Sequence, residues 1–174
     1  MDIYQAHANE IIPGIWLGDY HSSQDETFLR SQHIDVVFNC TKNLGFSSVV
    51  PIKYRVPVDD NLEEEEIRNM SLWSPEISLK IMREYLSGKR ILVHCMAGRQ
   101  RSAASVAFFL ITLKRCHADN AIAFIKSKRA IAFHPSPNFK KSIEYYDTEF
   151  HDRILPSILD NEDLEGNHHH VKTE

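Results

Sequence analysis

Short β-branched runs alternate along this chain with longer stretches in which apolar residues recur every third or fourth position, the periods of strands and helices. In "IIPGIWLGD" (residues 11–19) a short strand, a Pro-Gly turn and a second strand are predicted at a sheet edge. Ser22 or Ser23 is the predicted N-cap of a short helix through "QDETFLRSQ", whose first turn is acidic and whose Phe28 and Leu29 form an apolar face. "IDVVFNC" (34–40) reads as a buried strand. "YRVPVDDN" (54–61) reads as another, which Pro57 places near an edge and which ends in Asp59 and Asp60.

The second half repeats the alternation. "SPEISLKIMREYLS" is predicted as an amphipathic helix opened by Ser74 as cap and Pro75 at the first position, with Ile77, Ile81 and Tyr85 on one face. "RILVHC" is then a central strand, "SAASVAFFLITLKRC" a largely buried helix and "ADNAIAFIKSKR" a shorter one. Ser136 and Pro137 repeat the cap-then-proline signature before a closing helix with Phe139, Ile143, Tyr146 and Phe150 on one face. This order implies a three-layer α/β domain: a mostly parallel sheet of about five strands with helices on both faces. The reading divides the chain into an N-terminal segment (1–9), one domain (10–155) and a polar tail (156–174) whose composition predicts disorder.

Composition narrows the class. At 174 residues and 43% hydrophobic, the chain fits one domain with one core, and the net charge of -4 argues against bulk attraction to nucleic acid. Cys40, Cys95 and Cys116 form no disulfide framework, which suggests a reducing compartment. With no signal-like start and no apolar run long enough to span a bilayer, the expectation is a soluble, cytoplasmic protein, the nucleus being open as well. The apolar N-terminal segment offers a surface for a homodimer.

The chemistry concentrates at "HCMAGRQRS" (94–102), where a strand turns tightly into a helix. A turn of this kind points successive backbone N–H groups inward at the positive end of the helix, making a nest for a tetrahedral oxyanion. The same nest stabilises a thiolate, so the Cys95 thiol is expected below its ordinary range and nucleophilic at neutral pH. Gly98 supplies the backbone freedom, and the planar fork of Arg101 can hold two phosphoryl oxygens at once.

These residues match the His-Cys-x5-Arg-Ser/Thr loop of the cysteine-dependent protein tyrosine phosphatases. The rest of the chain, from Glu10 to Phe150, resembles their compact dual-specificity branch: "IIPGIWLGD", "IDVVFNC", "VPVDDN" and "RAIAFHPSPNFKKSIEYY" each have a counterpart there. The resemblance implies a phosphatase acting on phosphotyrosine and phosphoserine or phosphothreonine in proteins, with a phosphorylated protein as partner and no metal or other cofactor. It implies Cys95 as nucleophile, Arg101 and the loop Met96, Ala97, Gly98, Arg99 and Gln100 as phosphate binders, and Ser102 as donor to the departing sulfur. His94 would orient the loop. Asp60 is the implied general acid, with Asp59 the alternative one residue earlier, and the neighbouring Glu63 to Glu66 could raise that acid's pKa by repulsion or simply be solvated.

Arg99 departs from the pattern, standing where many protein-directed members carry an apolar or aromatic residue. A second rim cation favours a more highly charged substrate: a multiply phosphorylated peptide, a phosphoinositide or an RNA 5′-triphosphate. Gln100, at a position that is often small, narrows the pocket or orients water. A non-catalytic phosphoprotein-binding module would be expected to have lost the cysteine, arginine or acid, and all three are present. Cys40 is read as packing, with trapping of an oxidised Cys95 as its alternative, and Cys116 as structural. His168 to His170 are read as solvated, without a metal.

Overall fold

Every residue of the strands Val36–Asn39 and Ile91–His94 is buried, because both lie in the middle of one sheet with helices on each side. In a computed structural model, residues 6–170 are described. They build β1 (Ala8–Ile12), β2 (Ile15–Gly18), β3 (Val36–Asn39), β4 (Ile52–Arg55) and β5 (Ile91–His94) in the spatial order β1-β2-β5-β3-β4. β1 and β2 are antiparallel, while β2, β5, β3 and β4 run parallel. The register sets Gly18 beside His94 and Asn39 beside His94, so three strands end together at one edge. Ligands collect at such carboxyl edges in α/β sheets.

Six helices and a continuation of the last follow the two faces: α1 (Tyr20–Gln24), α2 (Glu26–Ser31), α3 (Glu64–Leu86), α4 (Arg101–Lys114), α5 (Ala118–Lys128), α6 (Lys140–Glu149) and, beyond a π turn at Phe150–Ile154, α7 (Leu155–His170). Leu29 packs with Val37 and Leu92 on one face of the sheet. On the other, Val36, Phe38, Ile91 and Val93 meet Ile77, Ile81, Phe108, Phe109, Ile143 and Tyr146. In α4, ten residues from Ser102 to Ile111 are buried, which explains why that stretch reads as apolar on all sides. Burying one such Leu or Phe contributes about 1.5–3 kcal/mol, enough to hold the α4 N-terminus against the sheet edge. Among the described residues no helix is long and apolar enough to cross a membrane.

Four expectations need correction. The N-caps are Asp19 and Asp25, which accept the N–H groups of Ser22 and Phe28, whereas the buried Ser22 and Ser23 hydroxyls bond back to carbonyls one turn earlier. Ser74-Pro75 does not open α3 but lies inside it. Proline has no N–H to give the carbonyl four residues before it, and the Ser74 hydroxyl donates to that very carbonyl, Ser71 O, at 2.7 Å, so the helix passes through. Its true start is the acidic run Glu64–Glu66, which suits the positive helix end. Ser136-Pro137 likewise precedes α6 by several residues; Lys140 opens it.

The fourth concerns the tail. Composition predicts disorder over 156–174, yet the chain is helical to His170, with residues 171–174 outside the description. α7 extends a helix already nucleated, and Ile154 and Leu155 pack on the core, so no new nucleus is needed. The wide π turn stands immediately before Pro156, where the regular bonding pattern would be interrupted. In the apolar N-terminal segment, Ile11, Ile12, Ile15 and Leu17 are buried in the chain's own core.

Candidate active site

β5 delivers Cys95 to the carboxyl edge between β2 and β3, and the loop 96–100 then wraps into α4. The loop's shape follows from where its carbonyls go. Met96 O accepts from Tyr20 N at 3.1 Å and Arg99 O from Phe133 N at 2.7 Å. Between them, Ala97 O and Gly98 O accept from the Arg129 guanidinium at 3.3 and 2.9 Å. With four successive carbonyls engaged on the outside, the amides face inward; the Gly98 and Ser102 N–H groups bond the Cys95 sulfur. Gly98 has φ +65°, and a Cβ there would lie 2.5 Å from Gly18 O, so the turn admits only glycine.

Burial alone pushes the Cys95 thiol up. It is outweighed by the hydrogen bond from the Ser102 hydroxyl at 3.1 Å, the Ser102 and Gly98 amides and the Arg101 charge, and the thiol falls below its ordinary value. The uncapped N-terminus of α4 adds its own positive end. Arg101 is anchored by one nitrogen, Nη1 donating to Val58 O at 3.1 Å, while its buried Nε has no partner. A buried guanidinium donor left free at an anion nest is placed to receive an oxyanion. His94 is pushed down to about 4, chiefly by burial, so its ring is neutral and, 3.3 Å from Cys95 O through Nδ1, is placed to orient the strand end rather than to exchange protons.

The other wall comes from a different part of the chain. Asp60, Met96, Ala97, Arg99, Gln100, His134 and Asn138 surround Cys95 and Arg101 in a cleft of about 290 Å³. The Asp60 carboxylate accepts from Asn138 Nδ2 at 2.9 Å. Asp59 instead faces Lys42 at 3.2 Å and does not line the cleft. Glu66 is neither a repulsive neighbour nor solvated: it is buried, pairs with Lys42 at 2.6 Å and accepts the Asp59 N–H at 3.0 Å. Its hydrogen bond to Lys42 holds its carboxyl below the usual range, and together they pin the acid-bearing loop to α3.

Gln100 both lines the cleft and holds its far wall. Its amide donates to His134 O and Ser136 O at 3.2 and 2.9 Å and accepts Asn138 N–H at 2.9 Å, so it also clamps the 134–138 segment. A chain of bonds thus runs from the 96–100 loop through Gln100 and Asn138 to Asp60. Sequence reasoning missed Asn138 and Arg129, which act across 78 and 31 positions. Arg129 closes the cationic run Lys126-Ser127-Lys128-Arg129, and nothing in that run marks it as the buried member. Asn138→Ala is expected to lower kcat about tenfold on phosphoserine peptides, with KM nearly unchanged and little effect on an aryl phosphate whose leaving group needs no proton. Steady-state kinetics on both substrate types checks it.

Cys40 lies beside the site, its N–H on His94 O at 2.8 Å and its sulfur 3.4 Å from Ser105 Oγ. Burial pushes its thiol up to about 12. Cys116 is half-buried, with its sulfur near Leu110 O. His168 to His170 lie at the end of α7.

Comparison with known proteins places this arrangement. Residues 15–149 match the family model "Dual specificity phosphatase, catalytic domain". Dual specificity protein phosphatase 2 of Mus musculus is 34% identical over 131 residues, 75% of this chain and 39% of that protein. Dual specificity protein phosphatase 1 of Homo sapiens is 33% identical over 132 residues, again 75% of this chain and 34% of its own length. The chain therefore spans well under half of these curated relatives. In fold it is similar to human DUSP28, with a TM-score of 0.70 at 22% identity over 84% of this chain and 96% of that one.

Proposed function

The chain belongs to the dual specificity phosphatase family, and from that premise we propose that it hydrolyses phosphotyrosine and phosphoserine or phosphothreonine in proteins through a phosphocysteine. The observation that carries the proposal is a lowered Cys95 thiol facing an unpartnered Arg101 Nε in a cleft that also holds Asp60.

The phosphoryl oxygens sit among the inward amides of 96–101 and the Arg101 fork, which supply positive charge where the transition state needs it. The Cys95 thiolate attacks phosphorus as the P–O bond to the substrate breaks, and Asp60 gives its proton to the leaving oxygen. Asp60, now a carboxylate, takes a proton from water, whose oxygen attacks the phosphocysteine. The S–P bond breaks, inorganic phosphate leaves, and the Ser102 hydroxyl bonds the departing sulfur. The proposal gives no metal a part in either step. All the named groups come from one chain, so the cleft needs no second copy.

Turnover of phosphotyrosine and phosphothreonine peptides in the presence of chelator tests the reading. Activity on both supports it; a requirement for added metal, or tight peptide binding with no turnover, overturns it.

Arg99 bears on the choice among protein substrates. Its side chain is exposed on the cleft wall and makes no hydrogen bond or ion pair among the described residues. A second phosphate on the substrate would meet it at the rim, a contact worth about 1 kcal/mol at such an exposed site. Arg99→Ala is therefore expected to raise KM about fivefold for a doubly phosphorylated peptide and to leave a singly phosphorylated one unchanged. Greater loss on phosphoinositide headgroups or triphosphate-ended RNA than on either peptide would move the substrate to that class.

A further inference from the structure

α4 is 14 residues long, so its far end lies about 20 Å from the phosphate loop. There the α4–α5 turn meets α6, and four donors converge. His117 Nδ1 lies 2.9 Å from Asp147 Oδ1, and His151 Nε2 lies 3.4 Å from the same oxygen. His151 Nε2 is also 3.0 Å from the carbonyl oxygen of Cys116. The ligand atoms of the three side chains lie within 4.8 Å of one another, and the two imidazole rings are 4.2 Å apart. Nothing in the phosphatase chemistry uses these groups.

We propose that His117, Asp147 and His151, with the Cys116 carbonyl beside them, form a Zn²⁺ site that ties the start of α5 to α6.

The scaffold around these donors is fixed. Asp147 Oδ2 accepts the Ala118 N–H at 2.8 Å, capping α5 across space and holding the carboxylate so that Oδ1 faces both rings. Asp147 and His151 stand one helical turn apart, and His151 sits in the π turn Phe150–Ile154. Asp147 and His151 keep only 18% and 21% of their side-chain surface exposed, so water competes little on that side; His117, at 68%, can swing to complete the shell. Zinc bonds of about 2.0–2.1 Å in a tetrahedron separate ligands by about 3.3 Å, which the Asp147–imidazole spacings approach. Two imidazoles with a carboxylate and a carbonyl suit zinc better than magnesium or calcium, which take oxygen shells, or copper(I), which takes sulfur.

Binding conserves atoms simply. The ring nitrogen of each histidine that faces Asp147 becomes a lone-pair donor; a neutral ring keeps its proton on the other nitrogen, and an imidazolium releases one proton.

A second trio, His7, Asp19 and His21, is less suited. Both of its imidazoles are exposed, whereas His151 is half-buried and also lies against the Cys116 carbonyl. This second trio serves as the internal control.

The test is calorimetric titration with ZnCl₂ of the chain carrying Cys95→Ser, which removes the reactive thiolate, and His168→Ala, His169→Ala and His170→Ala, which remove the terminal imidazoles. One equivalent is expected, with the thermal midpoint raised and Co²⁺ giving a tetrahedral absorption spectrum. Affinity is expected to drop at least about tenfold in H117A and in H151A and to persist in H7A/H21A. Circular dichroism and metal-free melting certify that each variant folds. No saturable binding in folded protein, or binding undiminished in H117A and H151A, overturns the site.

Discussion

Replacing Cys95 with serine is expected to reduce phosphatase turnover by about 10⁴-fold or more, to background, without unfolding the chain. Serine is nearly isosteric and its hydroxyl can keep the bond to Ser102, so the phosphate loop stays closed. What disappears is the anion. The amides of Gly98 and Ser102, the Ser102 hydroxyl and Arg101 hold the thiol below its ordinary value, and no such set of bonds ionises an alcohol at neutral pH. Phosphate binding survives, because the Arg101 fork and the nest are untouched. The wild-type pH profile carries the same signature: the active form is the thiolate, so kcat/KM persists below the range of an ordinary thiol and falls as pH drops through the lowered Cys95 value. Stopped assays and equilibrium dialysis with inorganic phosphate separate lost chemistry from lost binding.

Asp60→Asn is expected to cost about 10²- to 10⁴-fold in kcat on phosphoserine peptides. An alkoxide is a poor leaving group, and asparagine has no acidic proton to meet it. On an activated aryl phosphate the first step needs no such help, so the loss there is expected in hydrolysis of the intermediate, the step in which the proposal makes the Asp60 carboxylate the base. Because Asn138 acts through Asp60, adding Asn138→Ala to Asp60→Asn costs little more, a non-additivity measurable in a double-mutant cycle. Asp59→Asn is expected to leave the chemistry intact while loosening the salt bridge to Lys42.

What the sequence disclosed and what it hid divide by range. Cys95, the loop and Arg101 are encoded in consecutive residues, and the strand-to-helix junction that shapes them is written in the same apolar pattern. Asn138 and Arg129 belong to the site only because the chain returns to it, and neither periodicity nor spacing reveals a contact across 78 or 31 positions. Local signals misled where a side chain replaced a missing backbone bond. Ser74-Pro75 carries every mark of a helix start, yet the Ser74 hydroxyl satisfies the carbonyl that Pro75 abandons. The acidic run before it was open between a solvated face and a source of repulsion; Lys42, far earlier in sequence, makes Glu66 a clamp. In the tail, polar composition lost to continuity with a helix already formed and anchored through Ile154 and Leu155.

The central claim is that phosphorus passes through sulfur. Rapid quench of Asp60→Asn with an activated aryl phosphate, followed by mass analysis of the peptide containing residues 91–101, tests it directly. The account predicts a burst of one aryl alcohol per chain and one phosphoryl group on Cys95. Turnover with the phosphoryl group on another residue, or with none on the chain, would contradict it.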